Sequence, residues 1–270
     1  MIEVNHISFK YAGSKRLVFD DFSLRLEENR IYGLLGKNGT GKSTLLYLIS
    51  GLLRPQSGSV CCDGVATDKR QPETLRDIFF VTEEFEMPAI RLSEYVKLYK
   101  PFYPNFSDEV LQECLADFEL PSDVHLNELS MGQRKKAYIA FAMATNTKYL
   151  FMDEPTNGLD IPSKSQFRKV IARHMTEERT VVVSTHQVHD VEQMLDQRSV
   201  LLNASIQEIQ DQYTFEYRLP QQMDDSVLYA EPTLQGNAVI CRRQEGDAET
   251  QVNLELLFNY KTTSKTGSVL

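Results

Sequence analysis

The clearest chemistry in this chain lies in one short run, Gly36-Lys37-Asn38-Gly39-Thr40-Gly41-Lys42-Ser43. It fits the spacing G-x-x-x-x-G-K-[ST]. Glycines at these positions allow tight turns that aim successive backbone N–H groups at one point. Phosphate oxygens accept such bonds, and the N-terminus of a following helix adds a favourable dipole. Lys42 supplies a point charge for β- and γ-phosphates, Ser43 a hydroxyl for Mg2+, and Thr44 carries the loop into the helix. Taken alone, the run implies nucleotide binding and nothing narrower.

A second feature lies far downstream, where the apolar run Tyr149-Leu150-Phe151-Met152 ends in Asp153-Glu154-Pro155. A parallel strand delivers its C-terminal residues to a ligand crevice. Asp153 is then placed to hold Mg2+, directly or through water, and Glu154 to orient or deprotonate an attacking water. Two adjacent carboxylates at a strand end more often form a solvated loop, so this reading depends on the phosphate loop upstream. A third feature is Leu129-Ser130-Met131-Gly132-Gln133. Its S-x-x-Q spacing is a capping box, which predicts a helix start. Such a start beside a serine and a glycine is also an anion site. Arg134, Lys135 and Lys136 add positive charge there, although a plain helix cap explains the same residues.

The elements that must position these residues follow from periodicity. Ile2–Phe9 and Phe19–Leu26 alternate apolar and polar residues like half-buried strands. Residues 30–35 form a short apolar strand entering the glycine-rich loop, and 42–53 read as a helix. A short strand carries Cys61 and Cys62, and Ile78–Val81 is buried. From about 84 to 145 the texture turns helical: Leu92–Tyr99 and 108–120 have helical spacing, punctuated by Pro101, Pro104 and Pro121. Strands at 149–152, 180–184 and 199–202 then alternate with helices at 163–175 and 189–195. Strands alternating with helices imply a mostly parallel α/β sheet. Beyond about residue 203, short strands are expected at 213–219, 227–229 and 238–242. A closing helix at 253–260 and a loose polar tail from 262 complete the chain.

Composition narrows the class. The 270 residues are 41% hydrophobic and 25% charged, as in ordinary globular proteins. A net charge of −9 argues against a general nucleic-acid binder, so no nucleic-acid partner is expected. The four cysteines show no CxxC pair and no Cys/His metal spacing, and read as reduced thiols. The N-terminus alternates like a strand rather than a signal peptide. The longest apolar stretch, 45–53, is broken by Ser50 and Gly51 and falls short of the roughly 20 residues that span a bilayer. The chain is not expected to cross a membrane.

Taken in order, these motifs resemble the nucleotide-binding domain of ABC transporters, over about residues 1–202. The resemblance implies an α/β fold: a P-loop NTPase core with a mostly parallel sheet, an N-terminal antiparallel β subdomain and an inserted helical subdomain at about 84–145. An ABC ATPase domain would span 1–203, and a small α+β extension 204–270. Tyr11 matches the aromatic that stacks on adenine. Ser130, Gly132 and Gln133 match the family signature, usually LSGGQ, which serves the ATP held by the opposite subunit. Asp160, closing Asn157-Gly158-Leu159-Asp160, matches the loop that links the half-sites. His186, after Val181-Val182-Val183-Ser184-Thr185, matches the switch histidine at the γ-phosphate and catalytic water.

The implied activity is ATP hydrolysis with Mg2+, Glu154 and His186 being catalytic and Ser43, Glu83 and Asp153 near the metal. The implied assembly is a head-to-tail homodimer, or a heterodimer with another ABC ATPase subunit, on an integral membrane permease. The chain would then be cytoplasmic and peripheral on the inner face of the cell membrane. A short C-terminal extension looks most like export-type ATPases. A soluble ABC ATPase of an assembly machine, such as iron–sulfur cluster biogenesis, would carry the same motifs. Two departures stand out. Glu83 occupies a position that is usually Gln in the family, placing negative charge near the γ-phosphate. Met131 replaces the first glycine of the signature.

Overall fold

The computed structural model describes residues 1–36, 38–186, 200–201, 204–233, 236–244, 246–248 and 250–263. The chain begins β1 (Ile2–Phe9), β2 (Phe19–Leu26), β3 (Ile31–Leu35), α1 (Lys42–Ile49), β4 (Ser57–Cys62), β5 (Val65–Ala66), α2 (Pro72–Leu75) and β6 (Ile78–Val81). A helical segment follows, with α3 (Leu92–Tyr99), α4 (Asp108–Asp117) and α5 (Met131–Ala144). The chain returns through β7 (Tyr149–Asp153), α6 (Ile161–Arg173), β8 (Thr180–Thr185) and β9 (Val200–Leu201). It continues with β10 (Ala204–Ser205), α7 (Ile206–Gln212), β11 (Tyr213–Arg218), β12 (Val227–Thr233), β13 (Gly236–Arg242) and α8 (Leu254–Thr263).

The central sheet has the order β10-β9-β3-β8-β7-β6 among the described residues. Its strands β9, β3, β8, β7 and β6 pair in parallel, and β10 is antiparallel at the edge. Every residue of β7 and β8 is buried. Strands covered on both faces need continuous apolar runs rather than alternation, which is what 149–152 and 181–183 supply. The antiparallel sheet β2-β1-β4-β5 packs its inner face on a core of Ile2, Val4, Ile7, Phe9 and the leucines of α1. The alternation of β1 slips by one residue between Val4 and Ile7, a bulge with His6 at φ 49. Gly58 crosses that bulge closely: a Cβ there would stand 2.4 Å from the Asn5 and His6 carbonyl oxygens.

The helical segment packs on the other side of the core. α5 is polar in its first turns and apolar from Ala137 on, with Ala137 and residues 139–144 fully buried, because that part lies between the sheet and the helices outside it. Phe141 is the hub, its ring near those of Phe79, Tyr95, Tyr103 and Phe106. Buried Arg179 stitches the ends of these helices by donating to the His174 and Met143 carbonyls and to Asn146 Oδ1. Burial pushes its guanidinium down to about 10. The C-terminal sheet, β11-β13-β12, is antiparallel and packs under α8, whose Tyr260 meets Tyr213 and Tyr229.

Several boundaries differ from the sequence reading. The helix expected over 42–53 stops at Ile49, and Gly51 turns the chain at φ 70. The helix expected to 120 stops at Asp117, since Glu119 takes a left-handed φ of 56. α6 starts two residues early because Asp160 caps it and Pro162 suits its first turn. β12 runs on to Thr233 despite Pro232, which an edge strand tolerates. The short α2 and α7 were not anticipated. The closing helix runs on through Thr263, into the tail expected from 262; the rest of that tail and the helix expected at 189–195 lie outside the described residues, and only Val200–Leu201 of the expected strand 199–202 lie within them.

Candidate active site

Because β3, β6, β7 and β8 are parallel, their C-terminal ends open on one edge of the sheet. The phosphate loop follows β3, Glu83 follows β6, Asp153 and Glu154 end β7, and His186 follows β8. A cavity of about 420 Å³ opens there, walled by Asn38 to Thr44, Tyr11, Arg16, Glu83 and Glu154. Gly41 is obligatory in this wall, with φ 105 and Val18 Cγ1 only 2.8 Å from where a Cβ would stand. Among the described residues no side chain caps α1, whose N-terminus opens on the cavity. Lys42 is buried; its Nζ donates to Gly36 O at 2.7 Å and lies 3.6 Å from Glu154 Oε1. The Tyr11 hydroxyl meets Thr44 Oγ1 at 2.9 Å, which sets the half-exposed ring at the cavity wall. Lys37 lies outside the described residues.

Glu154 is the most constrained residue of the site. Its φ of 45 is left-handed, a conformation that costs a residue with a Cβ. Its N–H donates to Ser184 O at 3.0 Å and to Ser184 Oγ at 3.2 Å. The Ser184 hydroxyl in turn donates to Asp153 Oδ1 in a very short bond. Ser184 thus holds the Asp153 carboxylate and the Glu154 main chain from the next strand, opposite Asp153 in register. His186 Nδ1 stands 2.9 Å from Glu154 Oε1, yet the approach lacks the alignment of a hydrogen bond. Glu154 Oε2 is buried with no hydrogen-bond partner among the described residues.

The oxygen chemistry fits Mg2+. Ser43 and Glu83 reach the cavity, Asp153 lies behind it, and Glu154 Oε2 is an orphaned buried oxygen. Among the described residues no cluster of three or more His, Cys, Asp or Glu side chains could cage a metal by itself. Mg2+ needs no such cage, since it takes one or two carboxylates plus substrate phosphates and water. Glu83 is partly committed elsewhere: its Oε1 accepts from Asn157 Nδ2 at 2.9 Å.

The signature segment does not line this cavity. Ser130 and Gln133 form the predicted reciprocal cap at the start of α5, at 3.3 and 3.0 Å. Gly132 faces the loop after β7, where a Cβ would lie 3.7 Å from Leu159 and 3.9 Å from Gly158 O. Met131 and Ile161 stand out into solvent, 65% and 82% exposed. Asp160 caps α6 by accepting from Ser163 N at 2.9 Å, and Ser163's bonds hold its carboxyl below the usual range.

Arg134, Lys135 and Lys136, the positive charges expected at this helix start, lie in three different environments. Arg134 Nε donates to Leu129 O, Lys136 Nζ to Gln166, and Lys135 turns inward to the Glu154 and Asn157 carbonyls. Burial pushes the Lys135 ammonium down, against the opposing pull of Glu83, Glu154 and Asp153. Sequence reasoning missed Ser184, Lys135, Asn157 and Arg16 as site residues. The serine two residues before His186 was the only one with a visible signal.

Comparison with known proteins agrees with this geometry. The family model for ABC transporters matches residues 19–157. The ATP-binding protein YtrB of Bacillus subtilis is 28% identical over 213 residues, covering 78% of this chain and 72% of the relative. The zinc uptake system ATP-binding protein ZurA of Listeria innocua is 31% identical over 200 residues, covering 69% and 76%. A solved ATP-binding cassette, dimeric and bound to ADP and Pi after hydrolysis, is 28% identical with a TM-score of 0.60, covering 71% of this chain and 90% of that one. The chain belongs to the ABC transporter family, as an ATP-binding ATPase of that family. Among the described residues no helix is long and apolar enough to cross a membrane.

Proposed function

We propose that this chain hydrolyses ATP as one half of a head-to-tail dimer, with a copy of itself or another ABC ATPase, and drives a separate membrane permease from its inner face. The observation that carries this reading is the division of the site. The phosphate loop and Glu154 share one cavity, with His186 Nδ1 2.9 Å from the Glu154 carboxylate, while Ser130, Gly132 and Gln133 lie outside its walls. A signature segment displaced from its own cavity is useful to a second nucleotide on a partner. Exposed Met131 and Ile161 are apolar groups that such a contact would cover.

In this assembly the loop N–H groups and Lys42 hold the phosphates, and Tyr11 stacks on the base. Ser43, Asp153 and Glu83 would hold Mg2+, which would neutralise charge on the β- and γ-phosphates. Glu154 would take the proton of the attacking water at a carboxylate oxygen, with His186 orienting it. The proposed direction is export, whereas the zinc relative is named for uptake.

The test is affinity capture from detergent-solubilised membranes of the native source. A polytopic membrane protein in stoichiometric amount is expected. Recovery only with soluble cluster-assembly proteins would overturn the transport reading. Ser130→Arg should block ATP-dependent dimers in light scattering while leaving ATP bound. Normal dimers would remove the signature from the interface.

A further inference from the structure

The three segments that the proposed mechanism needs are held together by a lysine that neither touches a carboxylate nor lines the cavity. Lys135 lies in the second turn of α5, just past the Ser130 cap, and is buried. Its Nζ donates to Glu154 O at 2.9 Å and to Asn157 O at 3.0 Å. Glu154 O also accepts from Asn157 N at 3.1 Å, closing a tight turn behind the carboxylate. Asn157 Nδ2 then reaches Glu83 Oε1. An ammonium has three donors and no acceptor, so burying one demands carbonyls aimed at it. Here those carbonyls belong to the residue whose left-handed φ aims the base and to the loop that faces Gly132.

We propose that Lys135 is a positioning residue: it fixes the main chain of Glu154 and Asn157 to the signature helix, so that what the signature segment holds sets the alignment of the base. This rests on the two-half-site reading above. α5 is a continuous 14-residue helix, which carries the Ser130 cap and Lys135 on one element. A nucleotide gripped at Ser130 by a dimer would therefore draw on the turn after Glu154 without touching its carboxylate. The lysine links the half-site used for the partner's nucleotide to the hydrolytic group used for the chain's own.

The test is Lys135→Met, which keeps length and bulk and removes the donors, beside Lys135→Gln, which restores N–H donors on a shorter arm. Full-length chain is used throughout. The methionine variant is expected to lose ~10- to 100-fold in kcat with ATP affinity by calorimetry within about twofold, the size of effect that a small misplacement of a reacting group produces. The glutamine variant should lose less, and it carries the test alone if the methionine variant does not fold. In a Glu154→Gln background Lys135→Met should cost nothing further, because the group it aims is gone. Wild-type kcat in a folded variant would overturn the proposal. So would ATP affinity falling in step with kcat, or an undiminished loss in the Glu154→Gln background. Absence of ATPase in the wild-type chain would instead strike the proposed function itself.

Discussion

The molecule holds a second cavity as large as the first, about 430 Å³ against about 420 Å³, in its C-terminal extension. The two are built differently. The first lies where parallel strands end and a helix begins, so backbone N–H groups converge on it. The second lies on one face of the antiparallel sheet, walled by side chains such as Thr214, Glu216, Arg218 and Asp224. Its central charge, Arg218, is satisfied within the cavity wall. Arg218 donates to Glu216 and Ser226 and pairs with Asp224, and these bonds outweigh burial and hold its guanidinium above the usual range. In the first cavity a buried carboxylate oxygen, Glu154 Oε2, has no hydrogen-bond partner among the described residues. Volume alone does not make a site; polar groups left for a ligand do.

That contrast can be broken by mutation, beginning with the largest effect. Glu154→Gln should lower turnover by ~10²- to 10⁴-fold in a phosphate-release assay while ATP still binds, the range expected for a general base. Turnover at the wild-type rate would assign the base elsewhere. Next, Lys42→Ala should weaken ATP affinity ~10- to 100-fold in calorimetry, since a charge-assisted bond is worth roughly 1.5–3 kcal/mol. Unchanged affinity would mean that the lysine's bond to Gly36 O is its main role. Ser184→Ala removes the hydroxyl bonded to Asp153 and Glu154. A drop in turnover of about tenfold and a stability loss of ~1 kcal/mol by chemical denaturation are expected.

At the small end stands Arg218→Met in the second cavity. ATP affinity and turnover should both stay within about twofold, because its partners Glu216, Asp224 and Ser226 all lie in the extension. A larger change would couple the extension to the nucleotide site and end the contrast. Glu83→Gln sharpens the first cavity instead: it keeps an acceptor for Asn157 and removes a charge. Raised turnover in the steady-state assay is the expected outcome.

Much of the fold was legible because burial on both faces leaves uninterrupted apolar runs, as in Val181-Val182-Val183, and because helix starts carry local caps, as in Ser130–Gln133. Legibility failed where distant chain intervened. The bulge in β1 depends on Gly58 crossing from another strand. β12 continues through Pro232 only because it is an edge. The run Arg134-Lys135-Lys136 has one charge type but three environments, and only packing distinguishes them.

The sequence by itself determined the chemistry of the phosphate loop, the acidic pair and the capped signature helix, since each is a local arrangement set by spacing along the backbone. Tertiary structure decided which of them meet. Parallel strand ends gather the loop, Glu154 and His186, while the signature is turned away from that cavity. It also decided what holds Glu154 in place. Ser184 and Lys135 act through main-chain atoms of residues remote in sequence, and hydrogen bonds of that kind have no spacing rule to be read from the chain.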